Sequence, residues 1–161
     1  MTKAGTITFP EEFYMKLLEY AARSLAVHGF TDIVMIGDSG GNQNGMELVA
    51  EMLNAEWAGE AARVHFVGDY YGNNGFREWL IEQGETPETI GGHAGISDTS
   101  QLLAVDPRHI RTDKLAPLGG GPDSGVSGDP TRASVERGVR GIQFKVDAAL
   151  NQIRELMETN R

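Results

Sequence analysis

Two short apolar runs, each followed by a glycine-rich polar loop and a helical segment, constrain the fold of this chain most. Asp32 to Gly37 has the sequence DIVMIG, and Arg63 to Gly68 has the sequence RVHFVG. A continuous apolar run of this kind predicts a strand that is covered on both faces. Because the order is strand, helix, strand, helix, the pattern predicts a parallel sheet with helices on both faces.

Helices are also predicted on either side of this pattern. Gly5 to Phe9 is β-prone, and Pro10 then starts a helix that Gly29 is expected to end. Asp129 and Pro130 are expected to start the last helix, whose apolar residues recur every three or four positions. Neither an internal repeat nor an inter-domain linker interrupts the 161 residues, so residues 1–161 are predicted to form one domain.

The charge balance limits the partners. The chain has 14 Lys and Arg residues against 23 Asp and Glu residues, a net charge of −9, which argues against nucleic acid and anionic membranes. The absence of cysteine excludes disulfides, cysteine-based zinc sites and thiol nucleophiles. No apolar run is long enough to span a bilayer, and the first residues lack an apolar signal-peptide core, which predicts a cytoplasmic location.

Both glycine-rich loops, Asp38 to Gly45 and Asp69 to Gly75, follow the carboxyl ends of predicted strands, where parallel sheets bind ligands. Asp38 follows the end of the first strand and is a natural metal ligand or hydrogen-bond anchor. The candidate substrate-binding residues of the two loops are Ser39, Asn42, Gln43, Tyr70 and Tyr71. Two other interpretations stay open: Asp38 and Ser39 cap the following helix, or the loop cradles a phosphate, although it lacks the Gly-Lys-Ser/Thr of a P-loop.

A third glycine-rich segment contains a candidate proton-transfer group. His93 lies in a glycine-rich loop, between Gly91-Gly92 and Gly95, and histidine is the side chain best suited to proton transfer near neutral pH. Asp98 follows five residues later, just before a predicted helix. The alternative is that Asp98 caps this helix and His93 is a surface residue.

A serine esterase is a further alternative. The strand followed by Asp38 and Ser39 resembles the nucleophile block of GDSL esterases, with Ser39 as nucleophile. Asp106 and His109 form an Asp-x-x-His pair that could orient a general base, and Asn73 or Asn74 would be the oxyanion donor. Against it, the nucleophile strand of that family comes first and the Asp-x-x-His pair comes near the C-terminus, whereas about 50 residues follow His109 here.

Taken together, four blocks resemble the creatininase (creatinine amidohydrolase) family. Gly5-Thr6-Ile7 resembles its PGTI/S block, and HGFTDIVMIGDSGGNQNG resembles its strand leading into an N-G-H-G-G-N loop. GGHAGISDTSQLLAVDP resembles its H-A-G-E-x-E-T-S segment, and GVSGDPTRASVERG resembles its closing G-V-x-G-D-P-x-x-A block. The blocks occur in the family's order and cover nearly the whole chain.

The resemblance implies a three-layer α/β/α fold, a homo-oligomer, and hydrolysis of a C–N bond in a small cyclic or linear amide. Two divalent ions, usually zinc or manganese, hold the attacking hydroxide in that family. By position, His93 corresponds to the family's catalytic histidine and Asp98 to the carboxylate of its E-T-S segment. Asp38 is the implied metal ligand, an oxygen donor where the family has a histidine.

The chain also departs from the family pattern. Ile96 replaces the first Glu of H-A-G-E, and the E-x-H-G-x-H-L-P block that supplies most metal ligands precedes the PGTI/S segment in the family but is not in this sequence. We therefore expect an N-terminally short member with an altered metal site. Three explanations remain open: a fragment, a site completed by another subunit, or a metal-free relative that binds a ligand or assembles without catalysis.

Overall fold

A computed structural model of the chain describes residues 7–159, which contain six α-helices and two β-strands. The helices are α1 (Glu11–Val27), α2 (Gly40–Glu56), α3 (Phe76–Glu82), α4 (Pro87–Ile90), α5 (Ile96–Val105) and α6 (Val135–Thr159), and the strands are β1 (Asp32–Met35) and β2 (Arg63–Phe66). Contacts group the described residues into two compact units. We call residues 7–74 and 147–159 the sheet unit and residues 75–146 the helical unit; a single domain over 1–161 stays a prediction.

The two strands pair in parallel, as predicted. Ile33 lies opposite Val64 and Met35 lies opposite Phe66. The Val67 N–H donates to the Met35 carbonyl at 2.9 Å and continues the pairing past the end of β2. The carboxyl ends of both strands therefore meet at one edge of the sheet, and the two predicted loops leave from that edge.

The expectation that β1 is covered on both faces is wrong within the described residues. Ile33 and Met35 are buried, whereas Val34 is 40% exposed and Ile36 is 46% exposed. Successive strand side chains point to opposite faces, so only one face of β1 enters the core. The buried residues of that core are Ala22, Ile33, Met35, Met46, Val49, Ala50, Leu53 and Val64.

Helix α1 has the predicted bounds. It follows Pro10, carries Glu11 and Glu12 in its first turn, where the helix dipole favours negative charge, and is followed by Gly29 at φ +87°. The β-prone stretch before it is not a strand at residues 7–9, and its first two residues, Gly5 and Thr6, lie outside the described residues.

Helix α1 also has an apolar face that points away from the core. Phe13, Leu17, Tyr20 and Val27, which we call the α1 stripe, are 54%, 66%, 64% and 84% exposed. With Ser24 they follow the alternating spacing of four and three residues that is typical of a helix packed against another helix. An exposed apolar row of this kind is a surface suited to protein contact.

Helix α2 begins earlier than the sequence suggested. Residues 40–45, predicted to be loop, form its first turns. Glycine is a poor helix former, but it leaves room for close neighbours here. A Cβ at Gly45 would lie 3.1 Å from the ring of Tyr14, and a Cβ at Gly40 would lie 2.7 Å from the hydroxyl of Tyr71. The glycines therefore permit close packing on α1 and on the loop after β2.

The helical unit has its own core and a buried carboxylate paired with two arginines. Phe76, Leu80, Ile90 and Ile96 form the core, with Trp79 and Phe144 packed against them. The carboxylate of Glu85, 1% exposed, accepts hydrogen bonds from Arg132 at 2.7 and 2.9 Å and from Arg137 at 2.6 Å. These bonds lower the pKa of Glu85 to about 2, with the Arg132 bond as the largest cause.

The last helix starts later than predicted. Asp129 accepts the Thr131 N–H at 3.0 Å and caps a 3₁₀ turn, Pro130–Arg132. Ala133, at ψ 148°, is extended, so the helical conformation is interrupted before α6 begins at Val135. The sequence signal at Asp129 was therefore a real cap, but of a single turn. Within residues 7–159 no helix is both long and apolar enough to cross a bilayer.

Candidate functional site

The sheet edge brings several predicted residues together. Asp38 and Ser39 lie in the turn after β1, and Tyr70 and Tyr71 lie in the loop after β2. The Tyr71 hydroxyl lies against the backbone of Gly40, at the N-terminus of α2. Asp38 is close enough to Tyr70 for its negative charge to act on the phenol. The structure thus places a carboxylate and two phenols at one edge of the sheet unit.

The protonation state of Tyr70 follows from this arrangement. Burial raises the pKa of the Tyr70 phenol, and the negative charge of Asp38 raises this pKa further. Both causes oppose formation of a phenolate. Tyr70 therefore remains a hydrogen-bond donor at neutral pH.

The side chain of Gln43 is used inside the turn. Its Nε2 donates to the Gly37 carbonyl at 3.0 Å and to the Ser39 carbonyl at 2.9 Å. Its Oε1 is buried without a hydrogen-bond partner among the described residues. Ser39 occupies the N-cap position of α2 without a side-chain capping bond, and Asn42 is half-buried in the first turn. The helix-cap interpretation of the Ser39 hydroxyl is therefore not supported.

Asparagine side chains hold the loop after β2. Asn74 donates from Nδ2 to the carbonyls of Tyr70 and Tyr71 at 3.0 and 3.2 Å, and Asn73 donates to Asp69 at 3.0 Å. The esterase hypothesis needed one of these amides as an oxyanion donor, but both make bonds within the loop. Sequence reasoning missed this role, although asparagine in a glycine-rich turn commonly bonds to nearby backbone.

His93 lies in the helical unit, on a loop that is fixed through its backbone. Its N–H donates to the Ser127 carbonyl at 3.3 Å, and the Ser127 N–H donates to the His93 carbonyl at 2.7 Å. Gly91 packs so closely on this partner segment that a Cβ would overlap the Ser127 carbonyl. The His93 side chain is exposed on a backbone that two hydrogen bonds hold in place.

Asp98 supports the same loop. Its Oδ2 accepts the Ala94 N–H at 2.6 Å, and Ala94 has a left-handed backbone with φ +50°. A non-glycine residue in this region is strained, and the carboxylate bond stabilises it. Asp98, in the first turn of α5, therefore holds the residue next to His93. The capping alternative is wrong, because the N-cap of α5 is Gly95 and no side chain makes a capping bond there. The catalytic role of Asp98 stays a prediction.

The proposed esterase base is engaged elsewhere. The Asp106 carboxylate accepts from Arg108 Nε at 2.8 Å and Nη2 at 2.7 Å, and these bonds lower the pKa of Asp106. His109 lies 3.4 Å from Asp106 and is 70% exposed. The carboxylate therefore pairs chiefly with a guanidinium, and no observation favours the serine esterase.

The described residues do not fit a resident divalent metal. Within residues 7–159 no group of three or more His, Cys, Asp or Glu side chains lies together. The other eight residues of the sequence include none of these types. Asp38 remains the one predicted ligand, and a stable metal site needs several ligands in fixed geometry. We therefore assign no chemical step of this chain to a metal ion.

The family relationship follows from sequence comparison. The sequence model of the family described as creatininase, creatinine amidohydrolase, matches residues 1–153. The chain belongs to the creatininase family. No protein with curated annotation matches the sequence.

Solved creatininase structures have the same fold. A creatininase described as the Mn form superposes with a TM-score of 0.70 at 21% identity, covering 94% of this chain and 66% of that chain. A mutant creatininase complexed with creatine superposes with a TM-score of 0.67 at 21% identity, covering 94% of this chain and 67% of that chain. A mutant creatininase described as Zn-Zn type superposes with a TM-score of 0.67 at 21% identity, covering 94% of this chain and 66% of that chain. This likeness confirms the predicted α/β fold with a parallel sheet, and this family member spans about two thirds of the length of these structures.

Proposed function

We propose that this chain acts in hydrolysis of the C–N bond of a small cyclic or linear amide, with His93 transferring the proton. Family and fold point to a metal-dependent amidohydrolase. The observation that supports the proposal most is the geometry of His93: an exposed imidazole on a loop held by Ser127 and by the Asp98 bond to Ala94.

The chemistry of amide cleavage explains the need for such a group. The leaving nitrogen must gain a proton as the C–N bond breaks, and an imidazole can both accept and donate a proton near neutral pH. In the sheet unit, the proposed substrate contacts are Ser39, Asn42, Tyr70 and Tyr71, whose hydroxyl and amide groups can bond to an amide. Relatives are described with Mn or Zn. Because no three ligand side chains lie together within residues 7–159, we propose that an ion added in the assay would take its remaining ligands from water, substrate or a second copy of the chain.

His93→Gln tests this proposal. The purified chain is incubated with creatinine and a panel of small cyclic amides, with added Mn²⁺ or Zn²⁺, and product is measured by NMR. We expect the wild type to turn over at least one of these amides. We expect the rate to fall roughly 100-fold or more in His93→Gln, because general acid–base groups contribute about 10²–10⁴-fold to the rate.

The control is His109→Gln, an exposed histidine of the same unit outside the proposed site. It is expected to keep wild-type turnover. Equal turnover in wild type and His93→Gln contradicts the role of His93. Turnover that depends on His109 instead supports the esterase hypothesis. No turnover by the folded wild type overturns the proposal in favour of a non-catalytic relative.

The predicted homo-oligomer is a second proposal, and the α1 stripe supports it. Leu17 is 66% exposed at the centre of that apolar row. We expect wild type to exceed the monomer mass of 17.5 kDa in size-exclusion chromatography with light scattering, and Leu17→Glu to reduce this mass. Ile81→Glu changes an apolar residue outside the stripe that is 45% exposed and should leave the mass unchanged. An equal mass in wild type and Leu17→Glu excludes the stripe as the interface.

A further inference from the structure

The turn between β1 and α2 is held from within by one side chain. Gln43 donates both hydrogens of its amide to backbone carbonyls, those of Gly37 at 3.0 Å and Ser39 at 2.9 Å. These carbonyls belong to the residues immediately before and after Asp38. We propose that Gln43 is a positioning residue, which sets the location of the Asp38 carboxylate by fixing the carbonyl groups of the residues before and after it.

The bonding pattern determines which way the Gln43 amide points. Reversing the amide would place Oε1 against two carbonyl oxygens, neither of which can donate a hydrogen bond. In the orientation present, Oε1 is buried and has no partner among the described residues. A buried acceptor without a partner costs free energy, so the two donated bonds are the stabilising interactions of this side chain.

Side chains also pack closely on the rest of the turn. A Cβ at Gly37 would lie 2.9 Å from the terminal methyl of Met46, which is a buried side chain of α2. A Cβ at Gly40 would lie 2.7 Å from the Tyr71 hydroxyl. The backbone thus has close neighbours before and after Asp38, and Gln43 bonds the carbonyls between them. We expect loss of these bonds to change the position of Asp38 while α2 stays folded.

The purpose of a positioned Asp38 rests on the proposed function, but its position can be read without any turnover. The charge of Asp38 raises the pKa of the Tyr70 phenol, so Tyr70 reports how near the carboxylate is. The chain has four tyrosines. Labelling with ¹³Cζ-tyrosine separates their NMR signals during a pH titration, and a Tyr70→Phe spectrum assigns the signal of interest.

The experiment compares Asp38→Asn, Gln43→Met and the double variant. Methionine keeps the length of the side chain but donates no hydrogen bond. Asp38→Asn is expected to lower the pKa of Tyr70 because it removes the nearby negative charge. We expect Gln43→Met alone to produce at least half of that shift, and to produce no further shift when Asp38 is already Asn.

The matched control is Gln101→Met. Gln101 donates from Nε2 to the carbonyl four residues earlier, Ser97, at 3.1 Å, the same type of bond in α5. Its replacement should leave the pKa of Tyr70 unchanged. If Gln43→Met does not fold by circular dichroism, Gln43→Leu takes its place.

Two results overturn the inference. The first is that Gln43→Met leaves the pKa of Tyr70 unchanged. The second is that Gln43→Met shifts the pKa of Tyr70 equally with and without the Asp38 charge. Both outcomes are independent of activity, so a wild type that hydrolyses no amide contradicts the proposed function and leaves this test intact. Where turnover is present, Gln43→Met should lower kcat in step with the Tyr70 shift, and Gln101→Met should not.

Discussion

Glu85→Gln is expected to lower the free energy of unfolding by about 3 kcal/mol, because it leaves two arginines beside a buried group that no longer carries a charge. Glu85 is 1% exposed and receives bonds from Arg132, Arg137 and, at 2.9 Å, the Thr89 hydroxyl. The measurement is urea unfolding at pH 7. Glu82→Gln is the control, since it removes the same charge from an exposed side chain at the end of α3.

The effect of Glu85 should depend on pH in a defined direction. Its pKa is about 2 in the folded chain, against an ordinary value of 4.5. A carboxylate whose pKa is lowered by folding stabilises the folded state at any pH above its pKa in the unfolded chain. This stabilisation is lost as the pH falls towards its pKa in the folded chain. The difference between wild type and Glu85→Gln should therefore be constant above about pH 4.5 and shrink between 4.5 and 2. A difference that grows on acidification, or an effect no larger than that of Glu82→Gln, contradicts the role of the Glu85 pairing.

Gly91→Ala is expected to be as damaging, with a loss of about 3 kcal/mol or more. Gly91 has φ +65°, and a Cβ there would overlap the Ser127 carbonyl. The backbone must therefore separate from the segment that bonds to His93. The measurement is again urea unfolding, combined with amide exchange at His93 and Ser127, whose mutual bonds should lose protection.

Gly92→Ala is a matched control for this prediction. Gly92 is the next residue, it does not have a left-handed φ, and a Cβ there would have no atom within 4 Å. We expect its stability to stay within about 0.5 kcal/mol of wild type, as is usual for a surface substitution. Comparable losses in the two variants would show that the His93 loop is sensitive to any added side chain and not to this backbone contact.

Much of the fold and part of the candidate site are predictable because they depend on neighbouring residues. The alternation of apolar runs and glycine loops places Asp38 and Tyr70 at strand ends, and the parallel pairing of β1 and β2 confirms that these ends share an edge. His93 between glycines is recognisable in the same way. The start of α2 was not predictable from the sequence, because Gly40 and Gly45 have low helix propensity. Only the structure shows that other side chains pack closely on them.

Other features required the three-dimensional structure. Asp98 could be a catalytic carboxylate or a cap from its spacing alone, and the structure shows instead that its carboxylate holds the Ala94 N–H, before the N-cap of α5. Gln43 looked like a ligand-binding amide because it follows Asp38 in a polar loop, yet its nitrogen is engaged by two carbonyls of the turn. A side chain's hydrogen-bond partner depends on the path of the backbone, which residue type does not specify.

Hydrophobic periodicity and turn chemistry by themselves determined the order of helices and strands and the parallel sheet, since each is a property of short stretches. The resemblance of four sequence blocks indicated the family, which the match over residues 1–153 shows. Tertiary structure alone decided which charged and polar groups are buried and with what partners. Glu85 meets Arg132 and Arg137 from 47 and 52 residues away, and one face of β1 is buried while Val34 on the other is exposed. Burial and pairing depend on contacts between distant segments, and those contacts form only when the chain packs.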